Sequence, residues 1–215
     1  MKIKWLGHAC FLIEAHDGTR IVTDPYTTCD TVRYDPVNET ADIVTMSHGH
    51  KDHNNIRGVK GNPQAISESG KKTIKNIQFT GLPTYHDDVQ GDKRGKNLIT
   101  CFTVDEIHIC HLGDLGHLLN PEELREIGTV DVLLIPVGGF YTIDAAAATK
   151  ICDSLKPKIV IPMHFKTAKL DYPITTEDDF LAGKSNVRKM NSSEIELTRE
   201  KLPKTTEIIV LKYAR

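Results

Sequence analysis

The sequence predicts an α/β fold in one domain, residues 1–215, with β-sheet inside and helices outside. Two observations on the order of elements support this prediction. Short strands follow one another through the first half of the chain, and strands alternate with helices in the second half. The composition, 39% hydrophobic and 26% charged residues, is that of a globular protein. A chain of 215 residues is long enough to bury one sizeable core.

Alternating polar and apolar residues begin at the N-terminus and predict a series of short strands. The turn signal His16-Asp17-Gly18 joins the second strand to the third, and a later hairpin turns about Asp105. The predicted strands of this half are 2–6, 10–15, 20–24, 41–46, 64–67, 74–81, 98–104 and 106–113.

The pattern changes after residue 120. Proline at the start, acids in the first turn and a terminal glycine predict a short helix over 121–128. The alanine-rich segment 144–155 predicts a second helix. Continuous apolar runs at 130–139 and 158–165 predict buried strands, and 207–213 predicts a last one.

The net charge, the length of the apolar segments and the cysteine pattern argue against several classes of protein. A formal net charge of −2 argues against a nucleic-acid binder with a broad basic face. No apolar run reaches membrane-spanning length, and the segment MKIKWLGHACFLIE is too short and polar for a signal peptide. Five cysteines without CxxC spacing predict reduced, mostly buried thiols. We therefore expect a cytoplasmic protein with a small-molecule substrate, and a homo-oligomer remains open.

The segment SHGHKDH, residues 47–53, follows the predicted strand ADIVTM. His48 and His50 are two residues apart, so in extended chain they face the same way. Asp52 and His53 then offer an oxygen and a nitrogen that can turn toward a second ion. Four ligands in six residues exceed what one tetrahedral ion takes from so short a loop, so this spacing indicates two metals.

Three later residues can complete the two metal sites. His86, Asp114 and His164 each stand at the end of a strand-like run. With them, the sequence resembles the metallo-β-lactamase-fold hydrolases, whose pattern is HxHxDH, a distant His, an Asp in a Gly-Asp step and a final His. All seven positions occur here in that order.

The resemblance covers essentially the whole chain and implies a four-layer αββα sandwich, with two mixed sheets inside and helices outside. The segments WLGHACFLIE and TDPY are similar to the opening of one branch of the family. That branch includes L-ascorbate-6-phosphate lactonase-like enzymes and the phospholipase D enzymes that cleave N-acyl-phosphatidylethanolamines.

The resemblance also implies seven metal ligands in two groups joined by a bridging aspartate. They are His48, His50 and His86 for one ion, Asp52, His53 and His164 for the other, and Asp114 as the bridge. Zinc is the expected metal, and manganese or iron stays open because the bridging ligand is an oxygen. Two such ions would share a hydroxide that attacks the substrate, with Asp52 orienting it.

Two further histidines are candidate catalytic residues. His8, in a Leu-Gly-His turn, is predicted either to lie beside the metals as an outer-shell or substrate group or to be structural. His117 follows Asp114 and is placed to approach the site. Asp24 is predicted to support the metal loop by hydrogen bonds, with turn capping as the alternative.

Basic residues near two of the ligands predict an anionic substrate. Lys93 and Arg94 lie in the loop after His86, and Lys166 lies two residues after His164. Arginine grips phosphate or carboxylate with a planar fork, and lysine supplies a compact charge. The alternative is that these residues are solvated loop charges.

The sequence therefore predicts a dinuclear metal-dependent hydrolase that cleaves a small, anionic ester, lactone or phosphodiester. No GxSxG motif offers a competing nucleophile. The first alternative is metal-bound redox chemistry on the same fold, but members of that kind carry Glu where this chain has His50. The second is a nuclease, but the chain lacks the inserted nucleic-acid-binding domain of such members.

Overall fold

The computed structural model describes all residues, 1–215, and contains fourteen strands, three α-helices and two 3₁₀ helices, Ile56–Gly58 and Arg199–Lys201. The strands are β1 (Lys2–Gly7), β2 (Cys10–Glu14), β3 (Arg20–Thr23), β4 (Thr40–Thr45), β5 (Lys60–Ile66), β6 (Gly70–Ile74), β7 (Ile77–Tyr85), β8 (Lys96–Val104), β9 (Ile107–His111), β10 (Val132–Pro136), β11 (Ile159–Met163), β12 (Val187–Lys189), β13 (Glu194–Glu196) and β14 (Glu207–Val210). The helices are α1 (Pro121–Ile127), α2 (Ala145–Leu155) and α3 (Asp178–Leu181).

The strands form two mixed sheets, which confirms the predicted sandwich. The first has the order β13-β1-β2-β3-β4-β5, and the second has the order β12-β14-β11-β10-β9-β8-β7-β6. Antiparallel hairpins give way to parallel pairing at β3–β4 in the first sheet and at β9–β10–β11 in the second. Parallel strands end at the same edge of a sheet, so the residues that follow these strands meet there.

Apolar residues on opposite faces of the first sheet enter two different cores. Phe11 and Ile13 join a cluster of 44 buried residues that lies between the sheets, whereas Cys10 and Leu12 face outward. Alternation of side chains along a strand produces this division. The outward face is covered by the loop that carries Tyr26 and neighbouring apolar residues, so a loop instead of a helix forms that outer layer.

Most predicted elements are confirmed. The hairpin about Asp105 closes with two residues, Asp105 and Glu106, that both have positive φ (49° and 63°). The helix predicted over 121–128 is α1. Its N-terminus has a capping box, in which the Asn120 side chain accepts backbone N–H bonds and the Glu123 side chain accepts from the Asn120 backbone.

The strand predicted over 74–81 is confirmed from Ile77 onward, but its first three residues belong to the end of β6 and to a turn. The chain reverses there at Lys75 and Asn76, both with positive φ (47° and 62°), and β6 pairs antiparallel with β7. β6 is polar and exposed up to Ile74, so it gives no strand signal of its own, and Ile74 and Ile77 on either side of the turn form one apolar pattern. Asn76 tolerates the turn because asparagine enters the left-handed region readily. The three- and four-residue elements β12, β13 and α3 were too short to give a periodic signal.

All five cysteines are free thiols. Cys10 and Cys110 are buried as predicted, but Cys29 is exposed in the loop after β3. None of the helices is long and apolar enough to cross a membrane.

Candidate metal centre

Asp24 holds both ends of the histidine loop. The residue is fully buried after β3, and its Oδ1 accepts a 2.7 Å hydrogen bond from the backbone N of Ser47. Oδ2 accepts from Ser47 Oγ (2.6 Å) and from His53 Nδ1 (2.9 Å). Because a carboxylate only accepts, Nδ1 carries a proton and Nε2 of His53 is the atom directed toward the site.

The same carboxylate fixes His48 through the serine. Ser47 Oγ lies 2.9 Å from His48 Nδ1 and donates its own proton to Asp24, so it accepts from His48. Nε2 of His48 is therefore the unprotonated nitrogen. It is buried and has no hydrogen-bond partner in the protein.

His86, Asp114 and His164 follow β7, β9 and β11 and reach the same edge of the second sheet. Gly113 makes the approach of Asp114 possible. It has a φ of 56°, and a Cβ there would lie 2.5 Å from Cβ of Ser47. The backbone N of Asp114 donates to Asn97 Oδ1 at 2.9 Å, which fixes the backbone that carries this carboxylate.

Oδ2 of Asp114 is the centre of the cluster. It lies 3.2 Å from Nε2 of His53, of His86 and of His164. Nε2 of His48 is 3.9 Å away. One carboxylate oxygen therefore touches ring nitrogens from both predicted ligand groups, at the place that the resemblance assigned to the bridge.

Nitrogen and oxygen atoms form three overlapping groups in which all ligand atoms lie within 4.8 Å of one another. They are His48, His50 and His86; His48, His53 and Asp114; and His8, His53 and His164. Two ligand atoms at 2.0–2.1 Å from one tetrahedral ion are about 3.3 Å apart, close to the 3.2 Å separations around Asp114.

Two buried atoms show that this donor set fits cations. Nε2 of His48 and Oδ1 of Asp114 have no hydrogen-bond partner. A buried lone pair without a partner is costly, and a divalent cation satisfies it. Imidazole and carboxylate donors suit zinc, manganese or iron.

The pKa shifts determine which of these groups are free to bind a metal at neutral pH and which must first lose a proton. Burial lowers the pKa of His48 to about 3 and that of His8 to about 4, so both rings are neutral near pH 7. Burial opposes the charge on Asp114, but His164 and His53 outweigh it and hold its pKa well below the usual range. Burial likewise opposes protonation of His53, yet Asp114 and Asp24 raise its pKa, so a proton stands there until a cation displaces it.

Asp52 is held by two neighbours. Its Oδ2 accepts a 2.9 Å hydrogen bond from the phenol of Tyr172 and lies 3.3 Å from Nε2 of His8. Burial opposes its ionisation, but the hydrogen bond with His8 and the charge on His53 lower its pKa well below the usual range. Asp52 is therefore an oriented, ionised carboxylate.

A cavity of about 300 Å³ opens over the cluster. Arg94 lies on its wall with the guanidinium carbon 5.4 Å from the centre of the Tyr141 ring, a cation–π contact. The residues that line the cavity are His50, Asp52, His86, Lys93, Arg94, Asp114, Tyr141, His164 and Tyr172.

The loop that carries the basic residues is preformed. The carboxylate of Asp87 accepts backbone hydrogen bonds of 2.7–3.0 Å from four residues of that loop. Those donors are Val89, Gly91, Lys93 and Arg94. Desolvation of Asp87 is outweighed by these amides, which lower its pKa to about 2. The Asp87 carboxylate thus holds the backbone of Arg94 in a fixed turn at the cavity wall.

Comparison with known proteins identifies the family. The profile of the beta-lactamase superfamily domain matches residues 2–164. A UPF0173 metal-dependent hydrolase of Archaeoglobus fulgidus is 30% identical over 207 residues, which cover 83% of this chain and 87% of that protein. This chain belongs to the UPF0173 family of metal-dependent hydrolases.

Two further relatives agree with this assignment. A UPF0173 metal-dependent hydrolase of Carboxydothermus hydrogenoformans is 30% identical over 211 residues, covering 83% of this chain and 88% of that one. A crystal structure from Thermotoga maritima, classed as a Zn-dependent hydrolase of the metallo-β-lactamase superfamily, superposes with a TM-score of 0.82. It is 41% identical and covers 98% of this chain and 97% of its own.

Two residues predicted for the site of this UPF0173 hydrolase lie elsewhere. His117 does not line the cavity, because its Nε2 accepts from the backbone N of Tyr85 at 3.2 Å and its Nδ1 donates to Leu118 O. Lys166 does not line it either. Its ammonium donates to Tyr172 O at 2.8 Å and lies 3.5 Å from Asp171. Lys166 therefore holds the Tyr172 loop in place.

Sequence reasoning missed two tyrosines and Asp87. Tyr141 follows β10, which pairs in parallel with both β9 and β11, so its place at the ligand edge was available as a signal. Tyr172 lies in an irregular segment far along the chain, where no motif marks it. The four hydrogen bonds that Asp87 accepts depend on the path of the 88–94 loop. Amino-acid composition alone does not predict that path.

Proposed function

We propose that this metal-dependent hydrolase binds two divalent ions, zinc in the first instance with manganese or iron as alternatives. We propose further that it cleaves a small, anionic ester, lactone or phosphodiester. One observation carries the dinuclear assignment: a single oxygen, Oδ2 of Asp114, lies 3.2 Å from ring nitrogens of both ligand groups, His86 on one side and His53 on the other. A site for a single ion would not need one carboxylate oxygen to lie between two separate sets of ligands.

Paired divalent ions lower the pKa of water into the neutral range and polarise the carbonyl or phosphoryl oxygen that is attacked. The chain itself supplies orientation. Asp52 is ionised, lines the cavity and is fixed through Oδ2 by Tyr172, so it is placed to orient the attacking water. Burial and the neighbouring Asp52 charge raise the pKa of Tyr172, so its phenol keeps its proton and donates.

The cavity supports a small substrate with an anionic group. Its volume of about 300 Å³ is at the lower end of small-molecule sites. Arg94 and Lys93 line it beside the ligands His50 and His86. Of the two, Arg94 is stacked on Tyr141 and braced by the loop, whereas Lys93 is 62% exposed and lies 3.7 Å from Asp88. We therefore assign the anion contact chiefly to Arg94.

The test combines metal loading with matched substrates. The purified protein is stripped with a chelator, reloaded with Zn²⁺ or Mn²⁺, and assayed on a lactone, a carboxylic ester and a phosphodiester. Each is offered with and without a second anionic group. We expect activity only after metal loading and a higher kcat/KM for the anionic member of at least one pair. Activity that survives chelation, or equal rates across every pair, would contradict the proposal.

A further inference from the structure

His8 stands inside the metal centre although it is outside the seven-residue ligand pattern. The side chain is fully buried. Its Nε2 lies 3.1 Å from Nε2 of His53 and 3.3 Å from Oδ2 of Asp52, two atoms of the same ligand group. The rings of His8 and His164 are 4.3 Å apart.

The backbone directs this ring inward under strain. His8 lies between β1 and β2 with a φ of 54°, in the left-handed region that few non-glycine residues occupy. Its carbonyl oxygen accepts from Trp5 Nε1 at 2.9 Å and from the backbone N of His164 at 3.2 Å. The strained conformation is thus fixed from two sides, one of them the backbone of a metal ligand. Strain of this kind persists where the surrounding structure imposes it, and it clusters at functional sites.

The distances around His8 are those between ligands of one ion. Neighbouring donors at about 2.1 Å from one ion are about 3.0 Å apart in octahedral and about 3.3 Å apart in tetrahedral geometry, and Nε2 of His8 is 3.1 Å from His53 and 3.3 Å from Asp52. The 3.1 Å contact between Nε2 of His8 and Nε2 of His53 is a hydrogen bond that holds one proton between the two nitrogens, and that proton must leave when His53 binds a cation. Nε2 of His8 would then face the cation directly.

We propose that Nε2 of His8 is a direct ligand of the second ion, the one assigned to Asp52, His53 and His164. The inference rests on the proposed two-ion function. With the bridging Asp114, this ion has five protein donors, and the ion at His48, His50 and His86 has four.

This unequal division gives the two ions different coordination. The second ion, with five protein donors, would suit a metal that accepts five or six ligands. Ligands of both proposed ions line the cavity, His50 and His86 for the first and Asp52 and His164 for the second. His8 is fully buried and does not line the cavity, so it would close the side of the second ion that faces away from substrate.

The competing explanation is that His8 only hydrogen-bonds Asp52. Tyr172 provides the matched control, since its phenol bonds the same Oδ2 at 2.9 Å without offering a ring nitrogen. Loss of an outer hydrogen bond alone lowers metal affinity by about 10- to 100-fold, so affinity does not separate the two explanations. The test must detect the bond between metal and nitrogen.

The experiment is NMR of the full chain, labelled with NMR-active nitrogen and loaded with two equivalents of NMR-active cadmium. Scalar coupling between cadmium and a ring nitrogen reports a direct bond. We expect six coupled imidazoles, the six histidines of the clustered groups. One of these signals should be absent in His8→Asn, which tolerates positive φ, and in His8→Gln, while Tyr172→Phe should keep all six.

The inference is overturned if wild-type protein shows five coupled imidazoles and both His8 variants keep the same five. That result would leave the two-ion proposal intact. Binding of fewer than two cadmium ions by wild-type protein would instead contradict the proposed function, so the two failures are distinguishable. Circular dichroism of each variant confirms that a lost signal does not reflect unfolding.

Discussion

Asp24 and His53 are joined by a buried hydrogen bond of 2.9 Å between a carboxylate oxygen and the ring Nδ1. Neither side chain is accessible to solvent. The same carboxylate also holds Ser47, and through it His48, so two proposed ligands from opposite ends of the loop depend on one aspartate. A bond of this kind fixes the tautomer and the ring orientation of a metal ligand.

We predict that Asp24→Asn lowers affinity for divalent metal by about 10- to 100-fold. The amide keeps the shape of the side chain but loses the charge that orients His53. The measurement is a titration of the metal-free protein against a competing chelator. Asp42→Asn is the control, because Asp42 accepts from the backbone N of Arg20 in the same sheet and lies outside the ligand groups. Equal affinities for the two variants would contradict this role of Asp24.

Arg94→Gln should reduce kcat/KM for an anionic substrate by about 10- to 100-fold, since a hydrogen bond to a charged group contributes about 1.5–3 kcal/mol. The neutral analogue should lose far less. Steady-state kinetics on the matched pair gives both values. Arg188→Gln serves as the control, because Arg188 is a half-exposed arginine of β12 that pairs with Glu207 and does not line the cavity. The same loss on both substrates would mean that Arg94 acts only on the structure of the site.

Gly113→Ala should destabilise the metal-free protein by about 2–5 kcal/mol. The φ of 56° strains an L-residue by about 1–2 kcal/mol, and the contact of the new Cβ with Ser47 adds about 1–3 kcal/mol. Gly18→Ala is the matched control, with a φ of 85° and no atom within 4 Å of its Cβ, so it carries the strain alone. Urea denaturation measures both. A Gly113 variant no less stable than the Gly18 variant would rule out the steric argument.

Acid should destabilise the metal-free protein. Burial lowers the pKa of His8 to about 4 and of His48 to about 3, below the ordinary value of 6.5. Between pH 6.5 and 4 the unfolded chain therefore binds protons that the folded chain does not, and the free energy of unfolding falls as pH falls. Each group contributes a slope of up to about 1.4 kcal/mol per pH unit.

The raised pKa of His53 acts with the opposite sign and above this window, where its contribution is lost as pH rises. Urea denaturation at a series of pH values, with metal removed, tests the slope. His8→Asn should make the slope shallower, because it deletes one of the histidines whose pKa burial lowers. A stability independent of pH from 6.5 to 4 would show that these rings are not buried in neutral form.

The positions of the seven pattern residues could be predicted from the sequence because each stands at the end of a strand. Parallel strands end at one edge of a sheet, and this rule alone predicts that His86, Asp114 and His164 lie together. The hairpin about Asp105 was predictable for a similar reason, since its turn interrupts the apolar alternation. These features depend on local pattern and on the direction of strands.

Residues outside the strands were predicted less well, because their contacts depend on the paths of loops. Lys166 is close to His164 in sequence, but its ammonium is captured by Tyr172 O and turns away from the cavity. His117 follows Asp114 by three residues, yet it bonds the backbone of Tyr85. Tyr172 reaches Asp52 across 120 residues of sequence, a separation that no short motif spans.

The central claim is that Asp114 joins two metal ions in one centre, and manganese binding tests it most directly. Wild-type protein and Asp114→Ala are loaded with Mn²⁺, their metal content is measured by elemental analysis, and their electron paramagnetic resonance spectra are recorded. We predict two ions per wild-type chain with the signal of an exchange-coupled pair, and loss of both the coupling and at least one ion in the variant. A wild-type chain that holds one ion, or two uncoupled ions, would contradict the bridging role of Asp114.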